Sequence, residues 1–232
     1  MNKDTVIIIA ASAILNPKEI KPYDNISVNY SVYLNTLLYS NWLEIFKNTG
    51  EQYQIIALLS EIDREFLPKY FIPPEIQQIF YKETPLKNLT DFLNNQSSVI
   101  NSKTLVLFYN SMGIKQSDIS RVFNLNQTEE SSLIIGKSVR GNIVFACTYG
   151  LDKDIFDPLL IINRKYDEYL SLISSKDIFI HTLDNFLSID DFEDIKKLYI
   201  ELSKKESLSY CSQNMHESFN DLFIEYKELL NV

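Results

Sequence analysis

Ser12, Asn110, Ser111, Lys137 and Arg140 are the residues of this 232-residue chain whose types and positions could serve one site. Asn110-Ser111 closes the apolar run Leu105 to Tyr109 in TLVLFYNSMG, and Gly113 follows. Ala10-Ala11-Ser12 closes an earlier run that begins at Thr5, and KSVRGN, Lys137 to Asn142, links two later ones. In an open α/β sheet the carboxyl ends of strands face the ligand crevice. Brought together, an amide and two hydroxyls would offer hydrogen bonds, and the two cations would hold a phosphate or carboxylate. Read locally, Lys137 and Arg140 are solvated residues of a turn, the reading that the sequence alone favours. No carboxylate stands at these strand ends, so the pocket they would form is small and mildly basic.

Other chemistries find no carrier. Five glycines form neither GxGxxG nor a Walker loop, which excludes a glycine-rich phosphate cradle. His181 and His216 lack metal-ligand spacing, so zinc is not expected. No serine sits in a GxSxG elbow. Cys147 lies in an apolar run and behaves as a small hydrophobe, while Cys211 has no basic neighbour to activate it. A net charge of −9 without a basic stripe disfavours nucleic acid and membrane surfaces. Two cysteines are too few for a disulfide framework. Lys3 with VIIIAASAIL imitates a short signal peptide, but Asp4 before it and Asn16-Pro17-Lys18 after it argue for a first buried strand. A soluble, cytoplasmic protein is expected.

The elements that must position these residues read as alternating strands and helices. Strands are expected at Thr5–Ala10, Tyr53–Ser60, Gln78–Tyr81, Thr104–Tyr109, Ser132–Gly136, Ile143–Tyr149 and Asp177–Thr182. A helix over Ser31–Thr49 gathers Leu34, Leu37, Leu38, Trp42, Ile45 and Phe46 on one face, with Gly50 to close it. Thr84-Pro85 opens another that runs to about Gln96. Shorter helices follow at Ser117–Phe123 and over 159–175, and Ser188 to Asp191 reads as a capping box. The last helix carries Met215, Phe219, Leu222 and Phe223 on one stripe. The strands of KSVRGN meet in either a tight hairpin or a broader loop. This pattern predicts an α/β, three-layer domain with a mostly parallel sheet over 1–185 and a helical C-terminal segment, 186–232, packed on it.

LVLFYNSMGIKQSDISRVF and SLIIGKSVRGNIVFACTYG resemble the paired core motifs of GT-A-fold nucleotide-diphospho-sugar transferases. The likeness is to a bacterial glycosyltransferase-like branch related to the molybdenum-cofactor nucleotidyltransferases. There the first motif reads G-[ST]-D-x-P-x-L and the second G-P-x-x-D-G-G-[YF]; SIDDFEDI, Ser188 to Ile195, is similar to its later D-x-D-T-P-E-D-L. The resemblance puts the family's metal-binding aspartate at Asn110 and its second acidic position at Arg140, and retains Gly136, Gly141 and Asp190. The first loop, AASAILNPK, lacks the glycines and early basic residues of active members.

The resemblance implies a nucleotide, nucleotide-sugar or similar anionic ligand, with metal-dependent catalysis lost. Ala10, Ala11 and Ser12 would pack against a base or sugar. Asn110 and Ser111 would hydrogen-bond the ligand, Lys137 and Arg140 would neutralise it, and Asp190 would complete the set. Two alternatives stay open. An active glycosyl- or nucleotidyltransferase could recruit Asp118, Asp152 or Asp190, and a scaffold could dock a protein partner through the C-terminal helices. The cofactor stays unknown from the sequence.

Overall fold

The computed structural model describes residues 3–47, 52–83, 85–94, 102–126, 132–161 and 164–230. Its strands are β1 (Asp4–Ile9), β2 (Tyr53–Ser60), β3 (Gln77–Tyr81), β4 (Lys103–Phe108), β5 (Ser111–Met112), β6 (Ser132–Ser138), β7 (Ile143–Tyr149) and β8 (Phe179–Ser188). They form one sheet in the order β3-β2-β1-β4-β7-β6-β8-β5. The half containing β1 to β4 is parallel, β7 runs antiparallel between β4 and β6, and β8 is parallel to β6. β6 and β7 are therefore the tight hairpin of the two options. Its turn is closed by Ser138 N–H on Asn142 O at 2.8 Å, with Gly141 at φ +77°.

Helices cover both faces, which is why β1, β2 and β4 are continuous apolar runs rather than alternating ones. Val6 and Ile8 face α1 (Val28–Phe46) through Tyr39, Trp42 and Phe46, and α3 (Gln116–Leu125) through Ile119, Val122 and Phe123. Ile7 and Ile9 face α2 (Leu89–Asn94), α4 (Lys153–Ile161) and α5 (Tyr166–Ile173) through Leu89, Phe156, Leu159 and Tyr169. Leu34, Leu37 and Leu38 on the outer side of α1 pack against α6 (Phe192–Leu202) and α7 (Gln213–Glu225). The Met215–Phe219–Phe223 stripe of α7 is buried in that third cluster.

Several boundaries differ from the sequence reading, among them the last strand, which runs Phe179–Ser188 rather than Asp177–Thr182. Pro85 does not open a helix: Leu86 N–H is drawn onto Ala11 O, and α2 starts at Leu89 under the carboxylate of Asp157, which accepts from Thr90 N–H and Oγ1. The single helix over 159–175 is instead two, broken where Arg164 turns left-handed at φ +65°. The cap of α6 is Asp191, which accepts from Asp194 N–H, so Ser188 and Asp190 are released for other bonds. Gly50, Thr84 and Gln96 lie outside the described residues.

Gly136 has a steric reason. A Cβ there would come within 2.2 Å of the Phe145 ring across the hairpin. Gly136→Ala is expected to cost about 1–3 kcal/mol by overpacking, read as a lowered midpoint in urea unfolding. An unchanged midpoint would mean that the ring turns aside freely.

Candidate active site

A cavity of about 450 Å³ opens at the carboxyl ends of β1 and β4. Ile9, Ala11 and Ser12 from the first strand end, Phe108, Tyr109 and Asn110 from the fourth, and Ile189 and Asp190 after β8 line it. Lys21 to Asp24 form its rim, and Asn142, Arg164 and Lys165 close the opposite side. Tyr23 and Tyr109 both donate to the Oδ1 of Asn35, at 2.9 and 3.3 Å. The Asn35 amide in turn donates to Ile14 O and ties this wall to the loop after β1. Burial first, then their mutual charge coupling, pushes the Tyr23 phenol well above its ordinary value, so it stays protonated and keeps donating.

Asp190 organises the polar side. Its Oδ1 accepts from Asn110 Nδ2 at 2.8 Å and Arg164 Nη2 at 2.5 Å, and its Oδ2 from Asn142 Nδ2 at 2.7 Å and Ser188 Oγ at 2.5 Å. Burial alone would raise this carboxyl. The Arg164 charge and the bonds from Ser188, Asn142 and Arg164 outweigh burial and hold it below the ordinary carboxylate value. Arg164 also donates to Asn110 Oδ1 at 2.9 Å and lies over the Phe108 ring, 4.8 Å from its centroid. Its neighbour Lys165 donates to Asn142 Oδ1 at 2.7 Å.

The hairpin turn holds these two cations in place. Ile143 N–H donates to Arg164 O at 2.7 Å, Tyr166 N–H to Gly141 O at 3.0 Å, and Asn142 bridges Lys165 as a strand partner. This pairing ends α4 and forces Arg164 into a region that costs a non-glycine residue roughly 1 kcal/mol or more. Strained backbone of this kind concentrates at working sites.

The sequence candidates separate. Ala11, Ser12, Asn110 and Asp190 line the cavity. Ala10 is buried beneath it, its carbonyl accepting from Tyr81 at 2.6 Å. Ser111 is fully buried and donates to Val144 O. Lys137 pairs with Asp184 at 3.2 Å and sits over the Tyr166 ring, away from the cavity lining. Arg140 also stands outside the lining, clamped to Asp191 at 2.5 Å and Asp194 at 2.9 Å. Asp118 and Asp152 serve helix starts, accepting from Lys115 N–H and Asp154 N–H. The sequence reading missed Arg164, Lys165 and Asn142. The Arg-Lys pair was the available signal, hidden inside a stretch that reads as continuous helix.

No family model and no curated protein matches the chain. Solved structures do. A candidate nucleotide-diphospho-sugar transferase from Desulfovibrio desulfuricans G20 superposes with a TM-score of 0.74 at 12% identity, over 99% of this chain and 97% of that one. The fold is that of the nucleotide-diphospho-sugar transferases. More distant likenesses are Rv0371c of Mycobacterium tuberculosis H37Rv in complex with manganese, TM-score 0.51 at 11% identity over 85% of this chain and 98% of that one. Its homologue from Mycobacterium sp. strain JC1 also gives 0.51 at 11% identity, over 87% and 98%. Within this transferase fold, the cavity described above occupies the carboxyl edge of the parallel half of the sheet. Among the described residues, no helix is long and apolar enough to cross a membrane.

Proposed function

We propose that this chain binds a nucleotide, nucleotide-sugar or similar anionic ligand in the cavity at the ends of β1 and β4, and that metal-dependent catalysis is lost. The observation that carries the reading is the pair Arg164-Lys165 beside a 450 Å³ cavity, a volume within the range of small-molecule sites. Arg164 is neutralised by Asp190, whereas Lys165 donates to the uncharged amide oxygen of Asn142. Among the described residues that line the cavity, Lys165 is therefore a cation placed to meet an anionic group, with Lys21 at the rim. Ala11, Ser12 and the aromatic wall of Phe108 and Tyr109 supply the surface for a base or sugar, and Asn110 remains in contact range as an orienting amide. The buried, unbridged thiols of Cys147 and Cys211 accord with a cytoplasmic setting.

The divalent ion that this fold family implies does not suit these residues. Each oxygen of Asp190 already accepts two hydrogen bonds, and Oδ1 takes one of its two from the permanent cation of Arg164. Among the described residues, no group of three or more His, Cys, Asp or Glu could hold a metal. A hard divalent ion wants several oxygen ligands, carboxylates among them.

Calorimetry against a panel of nucleotides and nucleotide-sugars, each with and without EDTA, tests the reading. Binding that survives EDTA is expected, and Lys165→Met should weaken it about tenfold by removing a charge-assisted bond. A panel without any binder at millimolar concentration would sink the reading. Full affinity in Lys165→Met would clear that residue of the role.

A further inference from the structure

Arg164 touches two oxygens on the polar side of the cavity, Asn110 Oδ1 at 2.9 Å through Nη1 and Asp190 Oδ1 at 2.5 Å through Nη2. Both are hard oxygen donors of the kind a divalent ion takes. The bonds of the Asn110 amide turn its oxygen toward a cation at that point. Asn110 Nδ2 and Asn142 Nδ2 donate to Asp190, which turns the Asn110 amide so that its oxygen points at the guanidinium. Ile189 O accepts from Asn110 Nδ2 at 3.0 Å and locks that orientation. The cation itself is carried by a residue held in left-handed backbone and only 13% exposed, with the Phe108 ring behind it. A surface arginine that merely found a partner would have none of this support.

We infer that the Arg164 guanidinium is a resident cation seated on Asn110 Oδ1 and Asp190 Oδ1, where it replaces a divalent metal and keeps one out. The inference deepens the reading of this cavity as the ligand site, but concerns the seat rather than the ligand. It has a consequence that a purely structural salt bridge lacks. Removing the guanidinium without replacing its charge leaves Asn110 Oδ1 open and Asp190 Oδ1 with the Asn110 amide as its one remaining donor, and so uncovers a metal site.

The test uses Mn²⁺ alone and needs no ligand. Free Mn²⁺ is followed by electron paramagnetic resonance during titration of wild type, Arg164→Met and Arg164→Met/Asp190→Asn, with thermal midpoints recorded with and without the ion. Wild type is expected to take up no Mn²⁺ at millimolar concentration and to show no midpoint shift. Arg164→Met should bind the ion at least about tenfold more tightly and be stabilised by it. The double variant removes both charges, leaves no orphan, and should lose the gain. Mn²⁺ bound by wild type and lost in Asp190→Asn would overturn the inference, because the seat would then be open. Failure of a folded Arg164→Met to gain any Mn²⁺ would also overturn it, since something other than the guanidinium would be excluding the metal. Loss of nucleotide binding bears on the ligand reading and leaves these outcomes untouched.

Discussion

Asp63→Ala is expected to destabilise the fold by about 3–5 kcal/mol, from three orphaned N–H groups at roughly 1–3 kcal/mol each with some recovery by water. Asp63 lies in the 3-10 turn Glu61–Phe66 that directly follows β2, and it is fully buried. Its Oδ2 accepts from Ile14 N–H at 2.9 Å, and its Oδ1 from Leu15 N–H at 2.9 Å and Asn16 N–H at 3.0 Å. Three successive amides converging on one anion make a nest, here in the loop after the first parallel strand. In this chain an internal carboxylate fills that nest, so these amides are not available to a phosphate. Burial raises the Asp63 carboxyl, and the three N–H bonds only partly oppose it. Asn is no rescue, because its Nδ2 would face a backbone donor where an oxygen now accepts. Hydrogen exchange at Ile14 to Asn16 would register the change locally, and urea unfolding globally. Wild-type protection of those three amides in Asp63→Ala would show that the nest is held by something else.

The degree to which all this was legible follows from where each feature gets its cause. The strands from Thr5, Tyr53, Thr104 and Ile143 are local facts: runs buried on both faces must be apolar throughout, and their ends fall within a residue of the expected positions. A cavity lies at two of those ends, lined by Ser12 and Asn110 together with Asp190 from beyond β8. The cations are different. Arg164 is placed by backbone pairing with residues 141–143, a contact between a helix end and a hairpin that no periodicity in 159–175 announces. Arg140 occupies the motif position that invites a ligand role, yet it lies within reach of Asp191 and Asp194 at the start of α6, and those carboxylates hold it. The shift of the cap by three positions, from Ser188 to Asp191, has the same character. Either residue could start a helix; the demand of Arg164, Asn110 and Asn142 for a carboxylate decides that Asp190 stays outside it.

Asp190→Asn should lower stability by about 2–3 kcal/mol, less than the 3–5 kcal/mol of a fully buried broken pair because this one is partly exposed. Asp190 is 29% exposed and Arg164 13%. The loss arises mainly from the partner: the guanidinium keeps its charge, its place over Phe108 and its bond to Asn110, but faces an amide in place of a carboxylate. For a chain of this size the midpoint should fall by roughly 4–12 °C. A cycle with Arg164→Met separates the two causes, because the double variant carries no unpaired charge and should recover part of the loss. The pH dependence has a definite sign. With its folded pKa below the unfolded value of 3.8, Asp190 contributes stability that is fully present above 3.8 and is lost as pH falls through the lower folded value. Acid unfolding of wild type should therefore be steeper below pH 3.8 than that of Asp190→Asn, and equal slopes would mean that the carboxylate and guanidinium do not interact in solution.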